Sequence, residues 1–335
     1  MSLNELSDAE LKTLLENKEN EQELFDKADA VRRQRYGKDV YIRGLIELSN
    51  YCKNNCYYCG IRLGNNKLER YRLDKQQVLE CAKQGYELGF RTFVMQGGED
   101  PHYTDSFICE TVNDIKNIYP DCAISLSLGE KTYESLKAYF DAGADRYLLR
   151  HETACEDHYR KLHPKNLNLT TRKKCLFDIK SIGYEVGTGL MVGSPYQTTE
   201  HLVKDLRFMQ ELQPDMIGIG PFLSHKDTPF CHHKNGDMYL CLRMVAILRL
   251  MFPHSLIPAT TALATISNLG RELALKAGAN VIMPNLSPLK LRKLYLLYDD
   301  KVATNEEAAE SLALLREKVK SLGYCIVVSK GGVIK

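Results

Sequence analysis

From about residue 39 onward, short runs rich in apolar and β-branched residues alternate with stretches whose apolar positions recur every three or four residues. A period of two marks a strand, and a period near 3.6 marks a helix. The runs predict strands at Val40–Leu48, Arg91–Gln96, Cys122–Leu128 and Arg146–Glu152. Four more are predicted at Glu185–Val192, Asp215–Phe222, Ile257–Ala264 and Asn280–Leu286. Helical patterns lie between them. One runs from Asp74 as N-cap through Val78, Ala82 and Tyr86 to Gly89, another follows Thr199, and a third covers Asp237–Met251. Eight strands alternating with helices predict a parallel α/β fold, the TIM-type (β/α)8 barrel. An open doubly wound sheet would be expected to carry G-x-G-x-x-G after its first strand, which is absent here.

The two ends follow other patterns. The first 36 residues read as two helices, the first capped by Ser7 with Leu11, Leu14 and Leu15 on its apolar stripe. Near the other end, Thr304 and Glu307 have capping-box spacing and predict a short final helix. The Gly-Tyr-Cys-Ile-Val-Val run after it predicts a packed extended tail. The expected organisation is an N-terminal helical extension (1–36), a barrel (37–300) and a C-terminal helix and tail (301–335).

Composition narrows the function classes. A chain of 335 residues suits one barrel-sized domain, and 44% hydrophobic with 26% charged residues is ordinary for a soluble protein. The net charge is +2 with both signs interspersed, unlike the one-sided basic surface of a nucleic-acid binder. The apolar stretch Tyr239 to Phe252 is too short to span a bilayer and is broken by Arg243 and Arg249. The acidic, amphipathic N-terminus reads as neither a signal nor a transit peptide. The expectation is a cytoplasmic protein with no nucleic-acid or membrane partner. Its eleven cysteines are then expected as thiols and metal ligands.

Cys52-x3-Cys56-x2-Cys59 directly follows the first predicted strand, at what would be the C-terminal mouth of the barrel. Three thiolates on one short loop can ligate three irons of a 4Fe–4S cubane and leave the fourth open to a small molecule. A zinc knot is the plainer alternative, but structural zinc takes four ligands and no fourth Cys or His lies close by. Tyr58, next to the third cysteine, offers an aromatic face to an adenine.

Strand four places Arg146, Leu148, Arg150 and Glu152 on one face, expected to be the interior. Buried charges there need partners or a ligand. Arg146 and Arg150 are expected to bind an anionic substrate, with Glu152 on the same face toward a cofactor; a purely structural Arg–Glu network is the alternative. His151 falls on the outer face. Strand five puts Gly187, Gly189, Met191 and Gly193 on one face, predicting volume for a cofactor beside Met191. Strand three presents Ser125 and Ser127.

Ser49-Asn50-Tyr51-Cys52-Lys53-Asn54-Asn55-Cys56-Tyr57-Tyr58-Cys59-Gly60-Ile61-Arg62 resembles the cluster loop of the radical SAM superfamily. The resemblance is to its biotin-synthase-like branch, and there to the HydE family of FeFe-hydrogenase maturation enzymes. Met95-Gln96-Gly97-Gly98-Glu99-Asp100-Pro101, Arg146 to Ala154, Gly218 to Phe222, Pro258 to Ala262 and Ala277 to Asn285 extend it over about residues 35 to 300. The resemblance implies that Gly97, Gly98 and Glu99 contact the amino group of S-adenosylmethionine (SAM), that Glu152 reaches its ribose or amino group, that Arg172 holds its carboxylate and that Met191 touches it. Gln96, Thr260, Thr261 and Tyr295 match family pocket positions. It also implies a substrate that is a small molecule or an organometallic complex, supplied by a tyrosine-cleaving partner maturase. Other hydrogenase maturation proteins and an electron donor such as ferredoxin or flavodoxin are the further partners implied.

A radical SAM mutase similar to methylornithine synthase is the alternative within the branch, and a non-catalytic metal-binding scaffold is the alternative from another class. Only Cys325 follows Tyr298, so no accessory C-terminal cluster is expected. Gln96, Ser125, Ser127 and Met191 stand where a sulfur-donating cluster would need cysteines, which argues against biotin-synthase chemistry.

Overall fold

The structure is a computed structural model that describes residues 3–302 and 308–334. The first expected strand divides at Arg43 into β1 (Asp39–Ile42) and β2 (Gly44–Ser49). There follow β3 (Thr92–Gly97), β4 (Ala123–Ser127), β5 (Arg146–Leu148), β6 (Glu185–Thr188) and β7 (Met191–Val192). The rest are β8 (Met216–Ile217), β9 (Gly220–Pro221), β10 (Val281–Ile282) and β11 (Cys325–Val327). The named strands all pair in parallel, in the orders β2-β3-β4-β5-β6-β8, β7-β9 and β10-β1-β11. Isolated parallel bridges at Met216–Leu256, Pro258–Val281 and Leu45–Asn285 close the ring. The expected seventh strand is thus reduced to bridges at Leu256 and Pro258. Pro258 lacks a ladder donor, and the chain from Thr261 to Ile266 is helix, not strand.

The helices are α1 (Asp8–Glu16), α2 (Glu21–Tyr36), α3 (Lys75–Glu87), α4 (Asp105–Ile118) and α5 (Tyr133–Asp141). Next come α6 (Glu156–Leu162), α7 (Leu169–Ile182), α8 (Thr199–Leu212) and α9 (Met238–Met251). The last are α10 (Thr261–Ile266), α11 (Gly270–Lys276), α12 (Leu289–Arg292) and α13 (Ala308–Ser321). Ser7 and Asp74 cap α1 and α3 in full capping boxes with Glu10 and Gln77. The Thr304–Glu307 box lies outside the described residues.

Period two along the strands sorts the barrel into shell and lumen. Ile46, Leu48, Phe93, Met95, Ile124, Leu126, Tyr147 and Leu149 are buried outward in one continuous core. Each such side chain contributes about 1.5–3 kcal/mol by leaving water. Glu47, Gln96, Ser125 and Arg150 alternate with them. α9 is buried almost throughout, and its two arginines become staples. Arg243 binds the Leu15 carbonyl and Glu21, while Arg249 donates to the carbonyls of Gly278, Pro253 and Ser255. Arg243 ties the N-terminal helices to the barrel wall, and Arg249 fixes α9 to the turn that follows it and to the segment entering β10.

The base of the barrel is sealed by the tail. Thr92 Oγ1 and Arg146 Nη2 donate to the Lys330 carbonyl at 2.7 and 3.1 Å, and Arg43 Nη2 donates to the Gly331 carbonyl at 3.3 Å. Arg146 also donates to Thr92 Oγ1 at 3.0 Å and pairs with Glu185 at 2.5 Å. These contacts correct the expectation that Arg146 binds substrate. It shares a face with Arg150 but sits at the opposite end, with its donors committed to the base. No helix among the described residues is long and apolar enough to cross a membrane.

Candidate active site

The cysteine loop leaves β2 and is held by its surroundings more than by its own turns. Arg70 donates to the backbone carbonyls of Ile61 (2.9 Å), Arg62 (2.8 Å) and Asn65 (3.1 Å), and also to that of Asn50. Asp100 takes a two-pronged contact from Arg72, at 2.7 and 3.0 Å, and a 2.8 Å hydrogen bond from Ser49. Arg72 in turn covers the Tyr51 ring at 3.8 Å. Gly98 lets β3 exit against this loop. A Cβ there would stand 2.2 Å from the Tyr51 carbonyl oxygen and 2.7 Å from Cβ of Cys52. Gly97 has no such crowding.

Cys52, Cys56 and Cys59 are half-buried with free thiols. Burial pushes all three thiols up, Cys59 to about 12, and Cys56 and Cys59 are each raised further by a neighbouring cysteine of the set. Among the described residues no three His, Cys, Asp or Glu side chains converge on one metal ion. A cubane needs no such convergence, because each thiolate takes its own iron. The donor set of three thiols on one caged loop therefore fits a 4Fe–4S cluster.

Beside the loop, Tyr57, Tyr58, Leu162, Met191, Phe222 and Phe230 form an apolar wall. The Tyr58 hydroxyl lies 3.2 Å from His163 Nε2, and His163 Nδ1 lies 3.1 Å from the Tyr159 carbonyl. The carbonyl can only accept, so Nδ1 carries the proton and Nε2 accepts from Tyr58. Burial holds the His163 imidazole down to about 3. Glu152 has φ +65°, an unusual conformation for a residue with a Cβ, and strain of this kind concentrates at functional sites. Its Oε2 is buried without a hydrogen-bond partner. Arg172 is buried at the start of α7, donating to the Arg150 carbonyl at 3.0 Å and pairing with Glu130. Glu99 is turned toward structural work, accepting from the Glu130 amide at 3.1 Å and pairing with Lys53 at 3.2 Å.

Deeper in the lumen, Ser125 Oγ, Thr260 Oγ1 and Arg150 Nε and Nη2 are buried with no hydrogen-bond partner. Arg150 Nη2 is 3.3 Å from Glu152 Oε2, close enough for attraction but without hydrogen-bond alignment. Thr260 stands at the N-cap of α10, yet its side chain does not cap the helix. Gln96 Nε2 donates to the Tyr295 hydroxyl at 3.3 Å, joining two expected pocket positions. Thr261 is half-buried one residue after Thr260.

One expectation about this region changes. Gly187 and Gly189 do not open space for a cofactor. A Cβ on Gly187 would meet Leu148 at 2.7 Å and Met216 at 2.9 Å, and one on Gly189 would meet the Gly218 carbonyl oxygen at 1.9 Å. Their missing side chains let neighbouring strands close. His151 is buried on the outer face as expected, bound to Thr188 at 2.8 Å and packed on Phe208 of α8. Residues not singled out from sequence also line the lumen: the buried Glu47 pairs with Lys301 at 2.5 Å and accepts from Asn285 at 2.8 Å. A lone carboxylate between Ile46 and Leu48 was the signal available. Nothing comparable marked Lys301.

A parallel barrel with a caged three-cysteine loop at one mouth and unpaired polar groups inside defines a class of enzyme. The profile of the radical SAM superfamily matches residues 46–209, and the chain belongs to that superfamily. It is 46% identical over 300 residues to the [FeFe] hydrogenase maturase subunit HydE of Thermotoga maritima, covering 90% of this chain and 85% of that protein. It is 33% identical to 3-methylornithine synthase of Methanosarcina acetivorans, over 85% of this chain and 82% of the relative. The crystal structure of methylornithine synthase superposes with a TM-score of 0.86 at 29% identity, covering 97% and 96% of the two chains. As a radical SAM enzyme the chain uses a 4Fe–4S cluster and SAM.

Proposed function

We propose that this enzyme acts in assembly of the FeFe-hydrogenase cofactor, in the role that HydE has, on an amino-acid-bearing organometallic substrate held in the barrel lumen. The observation that carries this reading is the set of buried polar atoms of Ser125, Arg150 and Thr260 that make no hydrogen bond. Unpaired buried donors cost about 1–3 kcal/mol each unless a ligand completes them. A guanidinium among hydroxyls suits a carboxylate with further acceptors. The 46% identity to HydE supports the choice of substrate class.

When bound, the cluster and SAM supply a 5′-deoxyadenosyl radical by reductive cleavage. The chain's own residues bind and orient. Cys52, Cys56 and Cys59 hold the cluster, and the Gly98 backbone lies against their loop. Tyr58, fixed by His163, and Met191 pack the adenine, with Glu152 on the ribose or amino group and Arg172 near the carboxylate. Arg150 holds the substrate carboxylate, with Ser125, Thr260, Thr261, Gln96 and Tyr295 around the rest. Closure of the lumen keeps water from the reacting atoms. The partners on this reading are the maturase that supplies the substrate, other hydrogenase maturation proteins and an electron donor.

The test is release of 5′-deoxyadenosine by the reconstituted enzyme with and without the product of the tyrosine-cleaving maturase. Strong stimulation is expected. If 3-methylornithine formed instead, the mutase reading would replace this one.

A further inference from the structure

Glu152 keeps φ at +65°, a conformation that persists only where the surroundings impose it. Its own side chain does not supply that restraint, because Oε2 makes no hydrogen bond. The restraint comes from the residues on either side of it. On the outer face of the barrel, Asp205 of α8 reaches both. Its Oδ1 accepts a hydrogen bond from the Ala154 amide and lies 3.4 Å from Nε2 of His151. Nδ1 of the same imidazole is 2.8 Å from Thr188 Oγ1 on β6, and Phe208 packs edge-on against the ring at 5.0 Å. Lys173 of α7 donates to the Ala154 carbonyl at 3.1 Å, which completes the clamp.

Asp205 is set apart from the other acidic groups in the interior. It is fully buried, and its Oδ2 makes no hydrogen bond. The other buried carboxylates, Glu47, Glu99, Asp100 and Glu152, each face a lysine or an arginine. Among the described residues Asp205 meets neither, only the imidazole of His151. A carboxylate shut away from water with so little compensation is costly to keep. Packing alone would be served as well by a leucine.

We infer that Asp205 is a positioning residue for SAM: by fixing His151 and Ala154 it imposes the backbone turn that aims Glu152 at the cofactor. The inference rests on Glu152 contacting SAM, as proposed above. Asp205 itself lies behind the strand and touches no ligand, so its effect reaches SAM only through Glu152. Arg150, on the other side of His151, has an anchor of its own, since Arg172 Nε donates to its carbonyl at 3.0 Å. Loosening Asp205 therefore disturbs the SAM side of the turn more than the substrate side.

The test is equilibrium binding of SAM to the reconstituted enzyme, read well below the unfolding temperature of each variant. Asp205→Asn keeps an oxygen for the Ala154 amide and should bind SAM within about threefold of wild type. Asp205→Leu fills the same space without an acceptor and should bind at least about tenfold more weakly, with iron content unchanged. Losses that pass through one residue do not add. Asp205→Leu combined with Glu152→Gln should therefore bind SAM within about twofold of Glu152→Gln alone. Should Asp205→Leu fail to fold, Asp205→Leu with His151→Phe takes its place, because exchanging both partners for apolar groups of similar volume spares the fold. Wild-type SAM affinity in the leucine variant would overturn the proposal, since a carboxylate that only supports the fold lowers the unfolding temperature and leaves the ligand alone. Fully additive losses in the combined variant would overturn it as well, with Glu152 still assigned to SAM. Wild-type affinity in Glu152→Gln alone would instead strike the assignment of Glu152 to SAM, and the proposal with it.

Discussion

Arg150 and Glu152 lie two residues apart on one face, 3.3 Å from each other, and each carries a buried atom with no hydrogen bond. They are expected to divide the ligands between them. Arg150→Lys keeps the charge but loses the planar fork. It should weaken substrate binding by tenfold or more and leave SAM affinity within about twofold. Glu152→Gln should weaken SAM whether or not substrate is present. Equilibrium binding of each ligand to both variants checks this, and a reversed pattern would exchange the roles. His163 gives a pH signature. Its imidazole is held down to about 3 against an unfolded value of 6.5. The unfolded chain therefore binds the extra proton between those limits, and the stabilisation present above pH 6.5 is lost as pH falls toward 3, by up to about 1.4 kcal/mol per pH unit. Urea unfolding of wild type should steepen below pH 6.5, and His163→Gln should remove that part of the slope. At this scale the sequence was legible in direction but not in depth. Alternation along strand four put Arg146 and Arg150 on one face, yet no local pattern says that one of them meets Lys330 from the far end of the chain. That contact depends on where the tail crosses, which is a tertiary fact.

Among elements, the cysteine loop is the one whose shape is imposed from outside. Its spacing was readable, because three thiols at fixed intervals after a strand are a local signal. Its cage was not, since Arg70 looks like any charged residue until the loop folds back over it. Gly98 was expected at the SAM amino group, and its backbone lies tight against Tyr51 and Cys52. Gly98→Ala should therefore displace the loop. Iron retained after reconstitution is expected to fall below half of wild type, measured by iron content and cluster absorbance, whereas Gly97→Ala should keep most of it. The glycines of strand five teach the converse. A run of small residues reads equally well as space for a ligand and as room for a neighbouring backbone, and here Gly189 against Gly218 is the second kind.

For the whole molecule, the barrel was legible because its period-two strands and capped helices are local patterns repeated eight times. The weak seventh strand was over-read because Ile257 to Ala264 is apolar enough for either state, and Thr260 starts a helix there. The base is the least legible part. It joins Arg43, Thr92 and Arg146 to the carbonyls of Lys330 and Gly331, across more than half the chain. Arg146→Met should cost about 3–5 kcal/mol by leaving Glu185 and the tail unpaired. It should do so without changing SAM affinity, as thermal unfolding and a SAM titration on the same sample would show.

That sealed base turns the lumen into a blind alley. Ser125, paired in register with Arg146, and Arg150, two residues before Glu152, lie nearer the sealed base than Glu152 and Met191, so traffic must pass one mouth in sequence, and whatever enters first leaves last. Substrate should have to precede SAM, and spent methionine and deoxyadenosine should have to clear before the altered substrate can escape. In an isotope-trapping experiment, labelled substrate already inside should be committed to turnover once SAM is added, even against a large unlabelled excess. Substrate offered after SAM should wait for SAM to dissociate. If both orders of addition gave the same trapping, a second doorway would have to exist, and the base beneath Arg146 would be the place to look for it.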